Sequence, residues 1–227
     1  MRHTGQYGPY AAIEERRRQL LASAASISVT DLGAGSHTGA GQQRRVADIA
    51  RTAAKPRRLA QLLFRLVNYL RPATVLELGT SLGLTTAYLA AADSRHRVVT
   101  FEGCPNVAGV ARETFASLQL SNIEVVEGNL DHTLAPTLAA LGTPVDFVFF
   151  DGNHRCEPTL RYFEQCLAHR GDNSTFVFDD IHWSEDMERA WEVIKAHPDV
   201  TLTVDLFYFG LVFFRQKQPK QHFWLRT

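Results

Sequence analysis

The spacing of hydrophobic positions changes near residue 73. Before it, apolar side chains recur every three or four residues, a spacing typical of amphipathic helices. The pattern predicts helices over 10–25, 43–54 and 57–70, a short strand over 27–30 and a glycine-rich loop over 31–41. We therefore predict that residues 1–72 form an N-terminal helical extension.

From residue 73 onwards, short apolar runs alternate with helical segments. Runs such as Phe147–Phe150 are apolar at every position, which is typical of strands buried on both faces of a parallel sheet. Only Phe207 and Tyr208 separate the last two strands, so these must form an antiparallel hairpin. The predicted strands are 74–78, 97–102, 123–127, 145–150, 175–179, 200–206 and 209–214, and the predicted helices are 84–92, 105–119, 131–141, 157–169 and 184–196.

This rhythm predicts an α/β fold with a doubly wound, mostly parallel, seven-stranded sheet whose last strand is antiparallel. The predicted domain covers residues 73–227. At 227 residues the chain is long enough for one such domain with an extension.

Charge is unevenly distributed along a chain whose formal net charge is zero. Residues 1–72 hold 12 Lys/Arg and 4 Asp/Glu, a balance of +8, and the remainder hold 12 and 20, a balance of −8. One interpretation is a set of solvated helix faces. The other is that the basic extension helps to hold an anionic small-molecule acceptor. We expect no nucleic-acid partner because no DNA- or RNA-binding motif is present.

The composition predicts a cytoplasmic protein. No apolar run approaches the roughly 18–20 residues of a membrane span, so no membrane partner is expected. The first residues lack the apolar core of a secretory signal, and the three cysteines are too few and too irregular for a disulfide framework. The oligomeric state is left open, and a homodimer is compatible with the sequence.

The segment with the most evident chemistry follows the first predicted strand of the domain. Glu77 ends an apolar run, and Gly79, Thr80, Ser81 and Gly83 form a turn ahead of a helix. Glycines permit a sharp turn and a close approach to a ligand, and a helix N-terminus offers unpaired N–H groups. The order of elements predicts a small-molecule site.

Three kinds of site compete for this turn. A dinucleotide fingerprint needs a glycine where Ser81 stands. The string Gly-x-Ser-x-Gly matches the nucleophile elbow of α/β-hydrolases, yet that fold needs strands before the elbow, and only Asp205 and His222 could complete a triad. The third interpretation is a methyl-donor site.

With Glu102 ending the next strand and the terminal hairpin, residues 73–215 resemble the class I, Rossmann-like S-adenosylmethionine-dependent methyltransferases. Within that class the resemblance is to catechol-type bacterial O-methyltransferases. It implies S-adenosylmethionine as cofactor, Glu102 on the ribose hydroxyls and Glu77 facing the amino-acid portion of the donor. The cofactor-binding residues that it implies are Glu77, Gly79, Thr80, Ser81, Gly83, Glu102, Asn129 and Asp151.

The same resemblance suggests a place for a divalent cation. Asp151 follows the fourth strand, and Asp179 and Asp180 follow the fifth, where cation-dependent relatives hold a metal with Asp, Asp and Asn. Such oxygen ligands suit Mg²⁺ or a similar ion. Asp180 in place of Asn either tightens the binding of a metal or indicates that none is used.

The resemblance also implies catalytic roles for Asp151 and His154. His154 stands three residues after Asp151, where catechol-type enzymes place a lysine base, and imidazole titrates near neutrality. The alternative is that His154 caps the next helix. His182 and Trp183 are predicted to shape the acceptor site. The loop Gly33–Gly41 is predicted to be a lid or an acceptor-side loop, with Arg44 and Arg45 as anion contacts.

We expect methylation of an oxygen of a small hydroxylated acceptor. N-methylation on the same scaffold and a non-catalytic donor-binding sensor are the alternatives.

Overall fold

The computed structural model describes residues 7–30, 42–216 and 218–225. The N-terminal extension contains α1 (Pro9–Leu21), β1 (Ser26–Val29), β2 (Gln42–Arg45), α2 (Val46–Ala53) and α3 (Arg57–Leu70). The three predicted helices are present. The prediction was wrong for 43–45, because these residues pair with β1 in an antiparallel two-stranded sheet and the helix begins only at Val46.

The rest of the described chain alternates between strands and helices. In chain order it contains β3 (Thr74–Leu78), α4 (Leu84–Ala90), β4 (Arg97–Glu102), α5 (Pro105–Ser117), β5 (Ile123–Glu127), α6 (Leu130–Leu141), β6 (Val145–Phe150), α7 (Cys156–Leu167), β7 (Arg170–Asp179), α8 (Glu185–Ala196), β8 (Leu202–Asp205), β9 (Phe209–Phe213) and β10 (Gln221–Trp224).

Strands β3 to β10 form one sheet in the order β10-β8-β9-β7-β6-β3-β4-β5. Only β9 runs antiparallel to its neighbours, β7 and β8. The predicted α/β class, the parallel sheet and the antiparallel hairpin are therefore confirmed.

The sheet has eight strands instead of the predicted seven. The added strand β10 pairs in parallel with β8 at the sheet edge, and all four of its residues are exposed. Backbone hydrogen bonds hold it there, including Gln221 N–H to the Thr201 carbonyl (2.9 Å) and Leu225 N–H to the Asp205 carbonyl (2.8 Å). Such a strand has no buried face, so periodicity could not reveal it.

The extension shares its hydrophobic core with the sheet domain. Ile13 of α1 and Ile49 of α2 belong to one buried cluster with Leu84 and Tyr88 of α4. In a second cluster, Leu63 of α3 packs with residues of the central strands. The predicted boundary at residue 72 thus runs through continuous packing, and it stays a prediction.

The sheet order places a switch point between β3 and β6. The chain proceeds from β3 towards β4 and β5 on one side, and from β6 towards β7 on the other. Ligands of open α/β sheets bind at the carboxyl ends of strands beside such a point. No helix in the described part of the chain is long and apolar enough to cross a membrane.

Candidate active site

The turn after β3 is fixed by hydrogen bonds to the end of β4. The N–H groups of Gly79 and Thr80 donate to the Phe101 carbonyl at 3.2 and 2.9 Å. The N–H of Ser81 donates to Glu102 Oε2 at 2.9 Å. Ser81 has a φ of 49°, in the left-handed region. The backbone of Ser81, and not its hydroxyl, is what joins it to the acid at the end of β4.

The two glycines of this turn are required by packing. Gly79 has a φ of 116°, and a Cβ there would lie 2.4 Å from the Asp151 carbonyl oxygen. Gly83 has a φ of 79°, and its Cβ would lie 2.6 Å from the Phe115 ring. Gly79 therefore lets the turn pack against the end of β6, and Gly83 lets α4 pack against α5.

A cavity of about 260 Å³ opens beside the turn. Four predicted cofactor-binding residues line it: Gly79, Ser81, Glu102 and Asn129. Thr80 and Asp151 line a smaller neighbouring cavity. The other two predicted residues, Glu77 and Gly83, are not among the described residues that line either cavity.

One wall of the larger cavity comes from the extension. Val29 of β1, Arg44 of β2 and Ile49 of α2 line it. Arg44 and Arg45 are both exposed, and only Arg44 lines the cavity. The predicted lid, Gly33–Gly41, lies outside the described residues.

Glu77 is buried directly beneath the turn, with no exposed surface. Thr100 Oγ1 donates to its Oε2 at 2.6 Å, and Thr86 Oγ1 donates to the same oxygen. Its Oε1 has no hydrogen-bond partner among the described residues. Burial raises the pKa of Glu77 to about 7. Leaving a buried carboxylate oxygen without a partner is costly, so a positive charge near the turn would stabilise the ionised form of Glu77.

Glu102 closes the other side of the turn. Its two carboxylate oxygens accept hydrogen bonds from the backbone N–H groups of Ser81 and Cys104, each at 2.9 Å. These two bonds orient the carboxylate at the wall of the larger cavity, which Glu102 lines. The geometry fits the predicted contact with a ribose.

Asn129 is the N-cap of α6, and its Oδ1 accepts from the Asp131 N–H at 2.9 Å. Tyr162 of α7 also lines the larger cavity, and its hydroxyl donates to Asp131 Oδ1 at 2.6 Å. Sequence analysis missed Tyr162 because it lies inside a helix, far from any strand end.

The acids at the ends of β6 and β7 meet as predicted. Asp151 and Asp179, with His154, offer ligand atoms that lie within 4.8 Å of one another. Asp180, the third predicted metal ligand, does not belong to this group. The backbone of Asp180 has a φ of 54°, in the left-handed region. Burial is the main cause of a raised pKa for both members of the pair, to about 6 for Asp151 and well above the ordinary value for Asp179.

An unpredicted residue occupies the space between these carboxylates. Lys55, which follows α2, places its Nζ 2.9 Å from Asp151 Oδ1 and forms a second ion pair with Asp179 Oδ2. The residue types of the group suit a divalent cation, but an ammonium of the chain already binds two of its three members. The sequence offered one signal for Lys55, the rarity of lysine in this chain, which has four lysines among its 24 basic residues.

His154 lies beside Asp151, with 3.6 Å between Nε2 and Oδ1. Burial is the main reason that its pKa is lowered below 6.5. The N-cap of α7 is Arg155, so the alternative that His154 caps this helix is wrong. The exposed Trp183 meets the imidazole edge-on, with 5.9 Å between ring centroids.

The histidines near the end of the chain have other partners. His182 Nε2 lies 2.8 Å from Asp205 Oδ2 and its Nδ1 lies 3.3 Å from Glu188 Oε1. His222 Nδ1 lies 2.7 Å from Thr203 Oγ1. Asp205 and His222 therefore do not pair with each other, which removes the triad that a hydrolase would need.

Comparison with known proteins gives a family match over the middle of the chain. A family model described as a methyltransferase domain matches residues 76–181, a segment that holds the turn and the acids at the ends of β4, β6 and β7. No curated protein matches the chain in sequence.

Solved structures provide further likenesses. The O-methyltransferase TomG from Streptomyces achromogenes, solved with S-adenosylmethionine, is 26% identical with a TM-score of 0.62, over 72% of this chain and 82% of that chain. An O-methyltransferase from Bacillus cereus, solved with S-adenosylhomocysteine, is 20% identical with a TM-score of 0.63, over 93% and 91%. The Podospora anserina methyltransferase PaMTH1, also solved with S-adenosylhomocysteine, is 15% identical with a TM-score of 0.68, over 95% and 91%. Below 25% identity, the last two show a shared fold.

Proposed function

Since the chain carries a class I S-adenosylmethionine-dependent methyltransferase domain, we propose that it transfers the donor's methyl group to an oxygen of a small hydroxylated acceptor. The observation that carries the proposal is a partly buried histidine, His154, which lies beside Asp151 at the end of β6, next to the larger cavity. The O-methyltransferases among its structural relatives support the choice of oxygen.

The donor is held by the residues around the turn. Glu102, oriented by two backbone N–H groups, accepts from the ribose hydroxyls, and the carboxylate of Glu77, buried beneath the turn, favours the ammonium by its charge. Asn129 and Tyr162 provide the wall nearest α6 and α7. Two carboxylates are suited to a ligand that carries a positive charge.

S-adenosylmethionine, when bound, supplies a methyl group activated by a positively charged sulfur. The protein must orient the acceptor and remove its proton. The lowered pKa keeps His154 neutral at pH 7, so its imidazole can accept the hydroxyl proton. The imidazolium that results is stabilised by the Asp151 carboxylate 3.6 Å away.

Two features suggest what kind of acceptor fits. Trp183, 65% exposed, offers a flat apolar surface next to His154. Arg44 adds a positive charge to the rim of the larger cavity. We infer an acceptor with a planar hydroxylated ring and a negative charge.

The donor site can be tested without knowing the acceptor. Calorimetric titration with S-adenosylhomocysteine should show binding to the wild-type protein, weakened roughly tenfold or more in Glu102→Ala through loss of charged hydrogen bonds. Absence of binding at high micromolar concentration would overturn the central claim.

The catalytic step needs turnover with a panel of hydroxylated aromatic acids. His154→Ala should lower kcat by about 10²–10⁴-fold, whereas His132→Ala, which removes an exposed histidine of α6, should leave kcat unchanged. Identification of the product as a methyl ether supports O-transfer, and a methylamine product contradicts it. Full activity in His154→Ala would remove it as the base.

A further inference from the structure

Lys55 is a buried cation delivered to the candidate active site by the extension. Its side chain is 12% exposed, and those of its partners Asp151 and Asp179 are 12% and 1% exposed. The short link between α2 and α3 holds it, and the preceding residues Ala53 and Ala54 line the smaller cavity together with Asp151. The ammonium therefore lies at the edge of the space where the turn, the extension and β6 meet.

Two buried carboxylates need a cation if both are to remain ionised. Like charges at this range disfavour each other, and desolvation adds to the cost. Lys55 provides that cation, because its Nζ forms ion pairs with both Asp151 and Asp179.

An ammonium and a divalent ion would compete for Asp151 Oδ1 and Asp179 Oδ2, the two oxygens that Lys55 contacts. A metal bound to Asp151 and Asp179 needs oxygen distances of about 2.0–2.6 Å. Lys55 Nζ already lies 2.9 Å from Asp151 Oδ1 and contacts Asp179 Oδ2. A metal would therefore stand against a positive charge at close range, and it could bind only after the lysine had moved away.

The group also lacks the third carboxylate that a metal would use. Among the described residues, the ligand atoms that come together belong to Asp151, His154 and Asp179, and Asp180 stays outside. Asp180 is held in a turn by its N–H, which donates to the Tyr208 carbonyl at 2.8 Å, and by its carbonyl, which accepts from Trp183 N–H at 3.0 Å.

We propose that Lys55 takes the place of the divalent cation, so that this methyltransferase holds its active-site positive charge covalently and binds no metal at Asp151 and Asp179. An ammonium has three N–H groups. The two carboxylates accept from two of them, and among the described residues no further acceptor is found for the third, which can donate to the acceptor's oxygen. This inference rests on the proposed function for its chemical meaning.

The test measures metal binding directly, with Mn²⁺ as the probe and electron paramagnetic resonance of free Mn²⁺ as the readout. The wild-type protein should leave Mn²⁺ free at submillimolar concentration. Lys55→Ala vacates the space and uncovers the carboxylates, so it should bind one Mn²⁺ at least tenfold more tightly. Arg57→Ala, which removes an exposed cation two residues away, is the matched control and should behave as wild type.

A double variant identifies the site that is gained. Lys55→Ala with Asp179→Asn should lose the Mn²⁺ binding seen in Lys55→Ala. Tight binding of Mn²⁺ to the wild-type protein that Asp179→Asn abolishes would overturn the inference, and this measurement does not depend on whether Lys55→Ala folds. Equal binding by wild type and a folded Lys55→Ala would also overturn it.

Titration with S-adenosylhomocysteine separates this inference from the proposed function. If the wild-type protein binds S-adenosylhomocysteine and also binds Mn²⁺ tightly at Asp179, the function stands and the role of Lys55 falls. If it binds neither, the donor site fails while Lys55 keeps its place as the cation of the group.

Discussion

Glu77 is the single residue whose titration is most closely tied to donor binding. Burial raises its pKa from 4.5 to about 7. Between these two pH values the folded protein without ligand keeps a proton on Glu77 that the unfolded chain has released. The stability that this group contributes is fully present below pH 4.5 and is lost as the pH rises through about 7. A ligand ammonium reverses the preference because it favours the carboxylate.

The titration of Glu77 predicts how donor affinity changes with pH. Affinity for S-adenosylhomocysteine should rise as the pH rises towards about 7, by up to roughly tenfold per unit. Glu77→Gln should bind more weakly and with a flat pH profile. Calorimetry between pH 5.5 and 8 measures both, and a flat profile for the wild-type protein would contradict an electrostatic effect of Glu77 on the bound ammonium.

Gly79 allows a second prediction at the same scale. Gly79→Ala places a Cβ 2.4 Å from the Asp151 carbonyl oxygen at a φ of 116°. We expect the free energy of unfolding to fall by about 3 kcal/mol. The control is Gly109→Ala in α5, where a Cβ meets nothing within 4 Å and a gain of up to about 1 kcal/mol is expected. Urea denaturation distinguishes them, and equal effects would refute the packing argument.

At the scale of elements, the residue before β10 is joined to α8 by an ammonium, while the backbone of β10 pairs with β8. Lys220 Nζ donates to the carbonyls of Lys195, Ala196 and His197, at 3.0, 3.1 and 2.7 Å, at the C-terminal end of α8. A cation there complements the helix dipole and satisfies carbonyls that the helix leaves unpaired.

Loss of this contact should be measurable. Lys220→Met is expected to lower the free energy of unfolding by about 1 kcal/mol. Arg189→Met, which breaks an exposed i,i+3 pair with Asp186 on the same helix, should cost less because such pairs contribute little. If the two variants unfold at the same urea concentration, Lys220 does not anchor β10 to α8.

Predictability from sequence also differs between elements. The strands β3, β4, β6, β7 and β9 are marked by apolar runs such as Phe147–Phe150, since burial on both faces leaves a strong pattern. β10 is exposed at every position and β2 reads Gln-Gln-Arg-Arg, so backbone pairing alone defines them.

For the whole molecule, the extension acts as part of the core. Ile13 of α1 is 1% exposed and packs in one cluster with Leu84 and Tyr88 of α4. Ile13→Ala should lower the free energy of unfolding by about 2–5 kcal/mol. Leu21→Ala on the same helix, at 37% exposure, should cost much less. A single unfolding transition that shifts in Ile13→Ala would show one cooperative unit, and two separate transitions would contradict it.

Local and long-range contacts differ in how far they could be predicted, and this difference decides which parts of the site the sequence reveals. Glu102, Asp151 and Asp179 are found by a local rule, because each ends a parallel strand and these ends meet at one edge of the sheet. Lys55 obeys no local rule. Its ion pair with Asp179 joins residues 124 positions apart, and only packing of the extension against the sheet brings them together.

The distance in sequence between Lys55 and Asp179 has a consequence for folding during translation. Translation proceeds at roughly 5–20 residues per second, so the 124 positions between Lys55 and Asp179 correspond to about 6–25 s. During that interval Lys55 has been synthesised but its partner Asp179 has not. The ion pairs of Lys55 with Asp151 and Asp179 can both form only after β7, the last parallel strand before the hairpin, has left the exit tunnel. This part of the candidate active site is therefore among the later parts of the nascent chain to form.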